Sequence, residues 1–205
     1  MKVMIVVPTF HYKNKSFTYL SMSDFPTGLA YIASALKEAG HEVIGLNLNN
    51  ETKYPSPFLR IANEIKKTID KERPDLIGLG GLCTDYSFIK DALEVVRKCT
   101  TAPVVMGGRI VSNDKEFIFN LLKPDFCIWG EGEEAIVKLA DALENDKRPD
   151  IDNVGYWTEE GAVYGKTNYN YGNLDDRPFP DYEPFGITEM LDDYSMSTRV
   201  LYKYS

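Results

Sequence analysis

Runs of consecutive apolar residues alternate along this chain with stretches in which apolar residues recur every three or four positions, and the alternation repeats five times. The first run is Lys2-Val3-Met4-Ile5-Val6-Val7. Such a near-continuous run suits a strand covered on both faces, as in a parallel sheet. From Leu29 the spacing changes: Leu29, Ile32, Ala33 and Leu36 share one face of a helix. Gly40 ends that helix, and Val43 to Leu48 predicts the second strand. Phe58, Ile61, Ala62, Ile65 and Ile69 predict the second helix, closed by Pro74. Asp75 to Gly80 is the third strand, and Phe88, Ala92, Val95, Val96 and Cys99 mark the helix after it. Pro103 to Met106 is the fourth strand. Asn113 with Glu116 predicts a capping box for the next helix, which ends before Pro124. Asp125 to Trp129 is the fifth strand, followed by a helix carrying Ile136, Leu139, Ala140 and Leu143.

Strands and helices alternating at this spacing imply right-handed crossovers and a parallel sheet. The expectation is an α/β fold over residues 1–150, doubly wound and flavodoxin-like (Rossmann-like), with five parallel strands in the order 2-1-3-4-5. The character then changes. Val154 to Trp157, a Glu159-Glu160-Gly161 turn and Ala162 to Tyr164 predict a β-hairpin within residues 151–166. Residues 167–205 show no strong period and hold Pro178, Pro180 and Pro184 with Tyr169, Tyr171, Tyr182, Tyr194, Tyr202 and Tyr204. A structureless stretch of that length is unusual in a compact domain. It reads as an irregular connector to a further domain absent from this chain.

Composition narrows the function classes. A chain of 205 residues with 43 % hydrophobic content can bury a sizeable core. Its net charge of −8 argues against nucleic acid and anionic membranes as main partners. No apolar stretch approaches the roughly 20 residues needed to span a bilayer. Met1 to Pro8 runs straight into a strand without the features of a signal peptide, so a cytoplasmic location is expected. Cys83, Cys99 and Cys127 match no metal-binding or redox spacing and read as reduced thiols.

In an open α/β sheet, ligands bind beyond the carboxyl ends of the strands. The loops there are Pro8-Thr9-Phe10-His11, Gly80-Gly81-Leu82-Cys83-Thr84, Gly107-Gly108-Arg109 and Gly130-Glu131-Gly132-Glu133, with Phe25-Pro26-Thr27-Gly28 opening the first helix. Glycine lets a ligand approach the backbone and permits positive φ. Any one such loop serves equally as a tight turn; three on one sheet edge favour a large ligand lying across it. Neither GxGxxG after the first strand nor a phosphate-binding P-loop is present. Glu131, Glu133 and Glu134 suit the first turn of a helix better than acid–base work or a metal. Arg109 suits either a phosphate or amide ligand or plain solvent, and Trp129 suits packing.

The stretch Pro26-Thr27-Gly28-Leu29-Ala30-Tyr31-Ile32-Ala33-Ser34-Ala35-Leu36 resembles the opening helix of cobalamin-binding domains in radical S-adenosylmethionine enzymes. So do Pro74 to Leu79, Val104 to Gly108 and Asp125 to Glu133, in the family's order. Asn173 to Pro180 resembles the connector these enzymes place before their barrel.

The resemblance implies cobalamin as the cofactor. Its nucleotide tail would insert beside the sheet, between the loops after strands three and four, with the corrin ring over the strand ends. The site residues implied are Pro8, Thr9, Phe10, Thr27, Gly28, Gly80, Gly81, Leu82, Thr84, Gly107, Gly108, Arg109, Gly130, Glu131 and Gly132. Gly80-Gly81-Leu82 stands where the wider cobalamin pattern has SxL, which leaves Thr84 as the nearby hydroxyl. The DxHxxG pattern is missing; Thr9-Phe10-His11 keeps only its histidine. Without the aspartate that orients a cobalt-ligating histidine, His11 is expected to be a solvated loop residue, and no metal ligand is assigned. Family members of this kind bind cobalamin without histidine on the cobalt. The CxxxCxxC motif that holds a [4Fe–4S] cluster is absent. The resemblance therefore implies part of a longer methyltransferase or cyclase, whose remainder carries the cluster and S-adenosylmethionine; alone, this part is not expected to be active. The alternative is a docking or substrate-recognition module without cobalamin, with the slot between the loops at Gly80–Thr84 and Gly107–Arg109 filled by side chains. A self-contained nucleotide-binding enzyme is less well supported, for want of an activated nucleophile.

Overall fold

The computed structural model describes residues 1–9, 25–49, 56–169, 173, 175 and 177–187. Five parallel strands, β1 (Lys2–Val7), β2 (Glu42–Asn47), β3 (Leu76–Gly80), β4 (Val104–Gly107) and β5 (Phe126–Ile128), lie in the order β2-β1-β3-β4-β5. This is the predicted order. The predicted hairpin, β6 (Val154–Thr158) and β7 (Gly161–Tyr164), pairs antiparallel with β5 and continues the same sheet to seven strands. Gly155 makes that pairing possible, since a β-carbon there would sit 2.7 Å from the Cys127 sulfur. Trp157 stacks on Phe119 at 4.6 Å between ring centres and fixes the hairpin to the helix layer.

Among the described residues, six helices cover the two faces: α1 (Thr27–Glu38), α2 (Pro57–Glu72), α3 (Tyr86–Cys99), α4 (Arg109–Asn113), α5 (Lys115–Leu122) and α6 (Glu133–Glu144). Successive strand residues point to opposite faces. Met4, Val6, Ile77, Leu79, Val104 and Met106 pack with α2, α3 and α5. Val3, Ile5, Val7, Leu76, Val105 and Ile128 pack with α1 and α6. The helix ends follow from local chemistry. Ser56 caps α2 by accepting from the Leu59 amide at 3.1 Å, Pro57 sits in the first turn, and Arg73 closes the helix in the left-handed region.

One cap departs from expectation. The predicted box of Asn113 and Glu116 is replaced by Asp114, whose carboxylate accepts from the Phe117 amide at 3.1 Å. The cause is the short helix α4, which consumes Asn113 as its last residue. Asn113 instead donates to the Cys83 sulfur at 3.2 Å.

Residues 177–187 lie across α1 and β2. The Asp181 amide donates to the Ala30 carbonyl at 3.0 Å, and Lys37 pairs with the Asp181 carboxylate at 2.6 Å. Phe185 and Ile187 are buried with the α1 side of the core. Among the described residues, no helix is long and apolar enough to cross a membrane.

Candidate functional site

Gly78 and Gly80 of β3 fall on the same sheet face as Leu76, the face covered by α1 and α6. The register sets Gly78 between Ile5 of β1 and Val105 of β4, and sets Gly80 beside Gly107. A β-carbon on Gly78 would have only ordinary neighbours, the Met4 carbonyl at 3.7 Å and Ile5 at 3.8 Å. With no side chain there, the core opens into a cavity of about 1010 Å³, the upper end of the size usual for small-molecule sites. Its floor is Val3, Ile5, Gly78, Val105 and Ile128; its roof is Leu29, Ile32 and Leu36 of α1 with Ile136 of α6. It lies at the β1–β3 junction, where the strand order reverses and α/β folds hold their ligands.

The glycine loops form the rim as a single platform. A β-carbon on Gly80 would lie 2.5 Å from the Gly107 carbonyl oxygen, and one on Gly108 would lie 2.8 Å from that of Gly81. Gly108 has φ +85°, and the Ile110 amide donates to the Gly81 carbonyl at 3.0 Å. The two loops thus touch backbone to backbone. The open space runs beside them, under α1. The Asp85 carboxylate accepts from the Leu82 amide at 2.8 Å and holds the β3 loop in shape.

Most predicted site residues meet around this cavity. Pro8, Thr9, Gly28, Gly80, Gly81, Leu82, Thr84, Gly107, Gly108, Arg109, Gly130, Glu131 and Gly132 all border it. Thr27 does not; it opens α1 on the exposed side. Phe10 and His11 lie outside the described residues. The sequence reading missed Phe25, Ile32, Gly78, Ile128 and Ile136 as lining. The signal for Gly78 was present, since Gly78 and Gly80 alternate within a buried strand and so empty one face of it.

The lining is mainly apolar, and the cavity's described walls contain no histidine or cysteine. Thr9 is the informative polar group. It is buried, and its hydroxyl has no hydrogen-bond partner among the described residues. Buried polar groups are almost always paired, so this one calls for a ligand atom. The acidic cluster is accounted for by ion pairing: Arg177 lies 3.2 Å from Glu133 and 3.6 Å from Glu131, and Glu134 pairs with Lys138 one turn on. Trp129 is buried packing, as predicted, with its indole N–H on the Thr167 hydroxyl at 3.2 Å. The arrangement can bind and orient a large, partly apolar ligand. It offers no nucleophile activated by a neighbouring base among the described lining residues.

Comparison with known proteins agrees with this geometry. Residues 24–140, more than half the chain, match the family described as the B12 binding domain. No curated protein sequence matches the chain. Among solved structures, the radical S-adenosylmethionine methyltransferase TsrM from Kitasatospora setae, with cobalamin and a [4Fe–4S] cluster bound, is similar with a TM-score of 0.63 at 20 % identity. The match covers 90 % of this chain and 32 % of TsrM. The cobalamin-dependent S-adenosylmethionine radical enzyme OxsB, with aqua-cobalamin and S-adenosylmethionine bound, is similar with a TM-score of 0.65 at 19 % identity. That match covers 93 % of this chain and 25 % of OxsB. At these identities the likeness is one of fold.

Proposed function

The chain belongs to the B12 binding domain family, and from that premise we propose that the cavity under α1 takes the nucleotide tail of cobalamin while the corrin ring lies over the glycine platform. The observation that carries this reading is the mainly apolar space of about 1010 Å³ that opens over Gly78 toward the strand carboxyl ends. The Thr9 hydroxyl is the buried partner for a polar atom of the tail. Exposed Leu82 offers the ring an apolar contact beside the glycine platform. Thr84, Arg109 and Glu131 border the cavity and would hydrogen-bond the ring's amide side chains. Cobalamin, when bound, supplies the cobalt-centred alkyl-transfer or radical chemistry; this chain's residues bind it, orient it and exclude water.

The same reading extends to the whole protein. The chain spans about a third or less of the structures it resembles, 32 % of TsrM and 25 % of OxsB. The remainder would supply a [4Fe–4S] cluster and S-adenosylmethionine, in a cytoplasmic methyltransferase or cyclase. A cavity that side chains leave open supports this over a docking module without cofactor.

The test is a titration of the purified chain with hydroxocobalamin, followed by visible absorbance and by cobalt retained after gel filtration. About one equivalent of retained cobalt is expected, with weaker retention of cobinamide, which lacks the nucleotide tail. No binding at high micromolar cobalamin, or equal binding of both, would overturn the reading.

A further inference from the structure

A second cluster of ligating side chains lies at the opposite edge of the sheet, where the strands begin. His41 occupies the turn between α1 and β2, and its side chain is only 2 % exposed. Its Nε2 is buried without a hydrogen-bond partner among the described residues. Asp141 and Glu144 stand three residues apart on the last turn of α6 and so share a face of that helix. Asp141 Oδ1 is 3.4 Å from His41 Nε2, and Glu144 Oε2 is 4.0 Å from His41 Nδ1. The ligating atoms of all three residues lie within 4.8 Å of one another.

The relation between His41 and Asp141 is informative. A buried imidazole nitrogen without a partner is costly, because it has lost its contact with water and gained none in return. The Asp141 carboxylate is close, yet it makes no hydrogen bond to Nε2. Two ligands held about 2.1 Å from a tetrahedral ion lie roughly 3.4 Å apart and off each other's axis. That is the spacing of His41 Nε2 and Asp141 Oδ1, while Glu144 Oε2 lies beside Nδ1 and has to turn toward the ion. The two carboxylates are about half exposed, so an ion can reach the site from solvent.

We propose that His41, Asp141 and Glu144 form a site for a divalent transition cation of the zinc class, with water completing its shell. Imidazole with two carboxylates suits zinc better than magnesium or calcium, which take oxygen ligands. The Met1 amine lies 3.2 Å from His41 Nδ1 and 2.6 Å from Glu144 Oε1. An ion on Nε2 places the ring proton on Nδ1, so the amine leaves that contact and keeps Glu144 Oε1. Glu144 Oε2 is then the ligand. The ion would join the turn after α1 to the end of α6, the two helices that roof the cavity, at the end farthest from its mouth.

The test uses the chain beginning at Met1, freed of metal with a chelator that is then removed, and without cobalamin. It is titrated with zinc chloride in a calorimeter and with Co²⁺ by visible absorbance. One equivalent is expected, with a Kd on the order of micromolar, a raised melting temperature, and the intense bands of four-coordinate Co²⁺. The double variant D141N/E144Q changes exposed side chains, keeps its circular dichroism, and should bind at least tenfold more weakly; H41Q should do the same. Binding no tighter than millimolar, or binding unchanged in D141N/E144Q, would overturn the site. Neither result bears on cobalamin, which is titrated separately.

Discussion

Gly45 of β2 leaves the space that the Pro184 carbonyl fills: a β-carbon on Gly45 would run into that carbonyl and into the Phe185 ring. Phe185 in turn packs on Phe25, ring centres 4.9 Å apart, and Phe25 borders the cavity. Residues 177–187 are therefore seated on the domain and buttress the site. Gly45→Val should unseat residues 177–187 and destabilise the fold by about 1–3 kcal/mol, as overpacking does. Urea unfolding reads the loss, and limited proteolysis reads new cleavage in that segment. Unchanged protease resistance would show that the segment does not depend on this notch.

The ion pair over α1 sets a pH window. Burial alone would raise the Asp181 pKa, but the Lys37 ammonium at 2.6 Å and the Glu183 amide outweigh it and hold the carboxyl below its usual range. Hydrogen bonds to Asp181 and Glu183 raise the pKa of Lys37. A depressed carboxyl stabilises the fold above its unfolded pKa of about 3.9, and that stability is lost as pH falls through the folded value. A raised ammonium stabilises below about 10.4, and that stability is lost as pH rises through the folded value. The pair thus acts between roughly pH 4 and 10 and, being partly exposed, is worth under about 1 kcal/mol. Lys37→Met should lower the melting temperature slightly at pH 7 and flatten its fall below pH 4. An unaltered acid limb would remove Asp181 from the account.

The strands were legible because each is an apolar run bounded by Gly or Pro, as Val3 to Val7 and Leu76 to Gly80 illustrate. Their order was expected from the five strand–helix units, a number that suits the flavodoxin-like arrangement. The cap at Asp114 was not legible, because nothing in Arg109 to Asn113 announces a separate turn of helix. The hairpin's place in the sheet was not legible either; it depends on Gly155 fitting against Cys127, a contact between residues 28 positions apart. At the site, the glycine loops were legible in the sequence, but their contact with each other was not. Gly80 and Gly108 are small largely because the two loops touch, and the open space comes from Gly78, whose alternation with Gly80 in a buried strand was the signal passed over.

The three cysteines should differ in reactivity. Burial pushes the Cys127 thiol up to about 12, so its thiolate is scarce at pH 8, and thiolate is the reactive form. Cys83 is exposed in the turn after β3. Mass mapping after brief iodoacetamide treatment of the folded chain should find Cys83 modified and Cys127 intact, with Cys127 reacting only after unfolding. Early modification of Cys127 would contradict its burial beneath the hairpin.

The strongest separation of binding from folding comes from two glycines of the same site. Gly108 has φ +85° and ψ −172°, a region reserved for glycine, and a β-carbon there would press on the Gly81 backbone at 2.8–2.9 Å. Gly108→Ala should therefore cost about 1–3 kcal/mol of stability. Gly78 carries no such constraint: its β-carbon would sit at ordinary contact distance, facing the cavity. Glycine inside a strand costs about 0.5–1 kcal/mol relative to alanine, so Gly78→Leu should leave the melting temperature unchanged or raise it. Its side chain would occupy the space assigned to the nucleotide tail. Cobalamin affinity should then fall tenfold or more, about 1.4 kcal/mol, while cobinamide binding changes little. Gly78→Ala should fall between. Full cobalamin affinity in a well-folded Gly78→Leu protein would place the tail elsewhere, because a cavity narrowed at its floor cannot hold the same ligand at no cost.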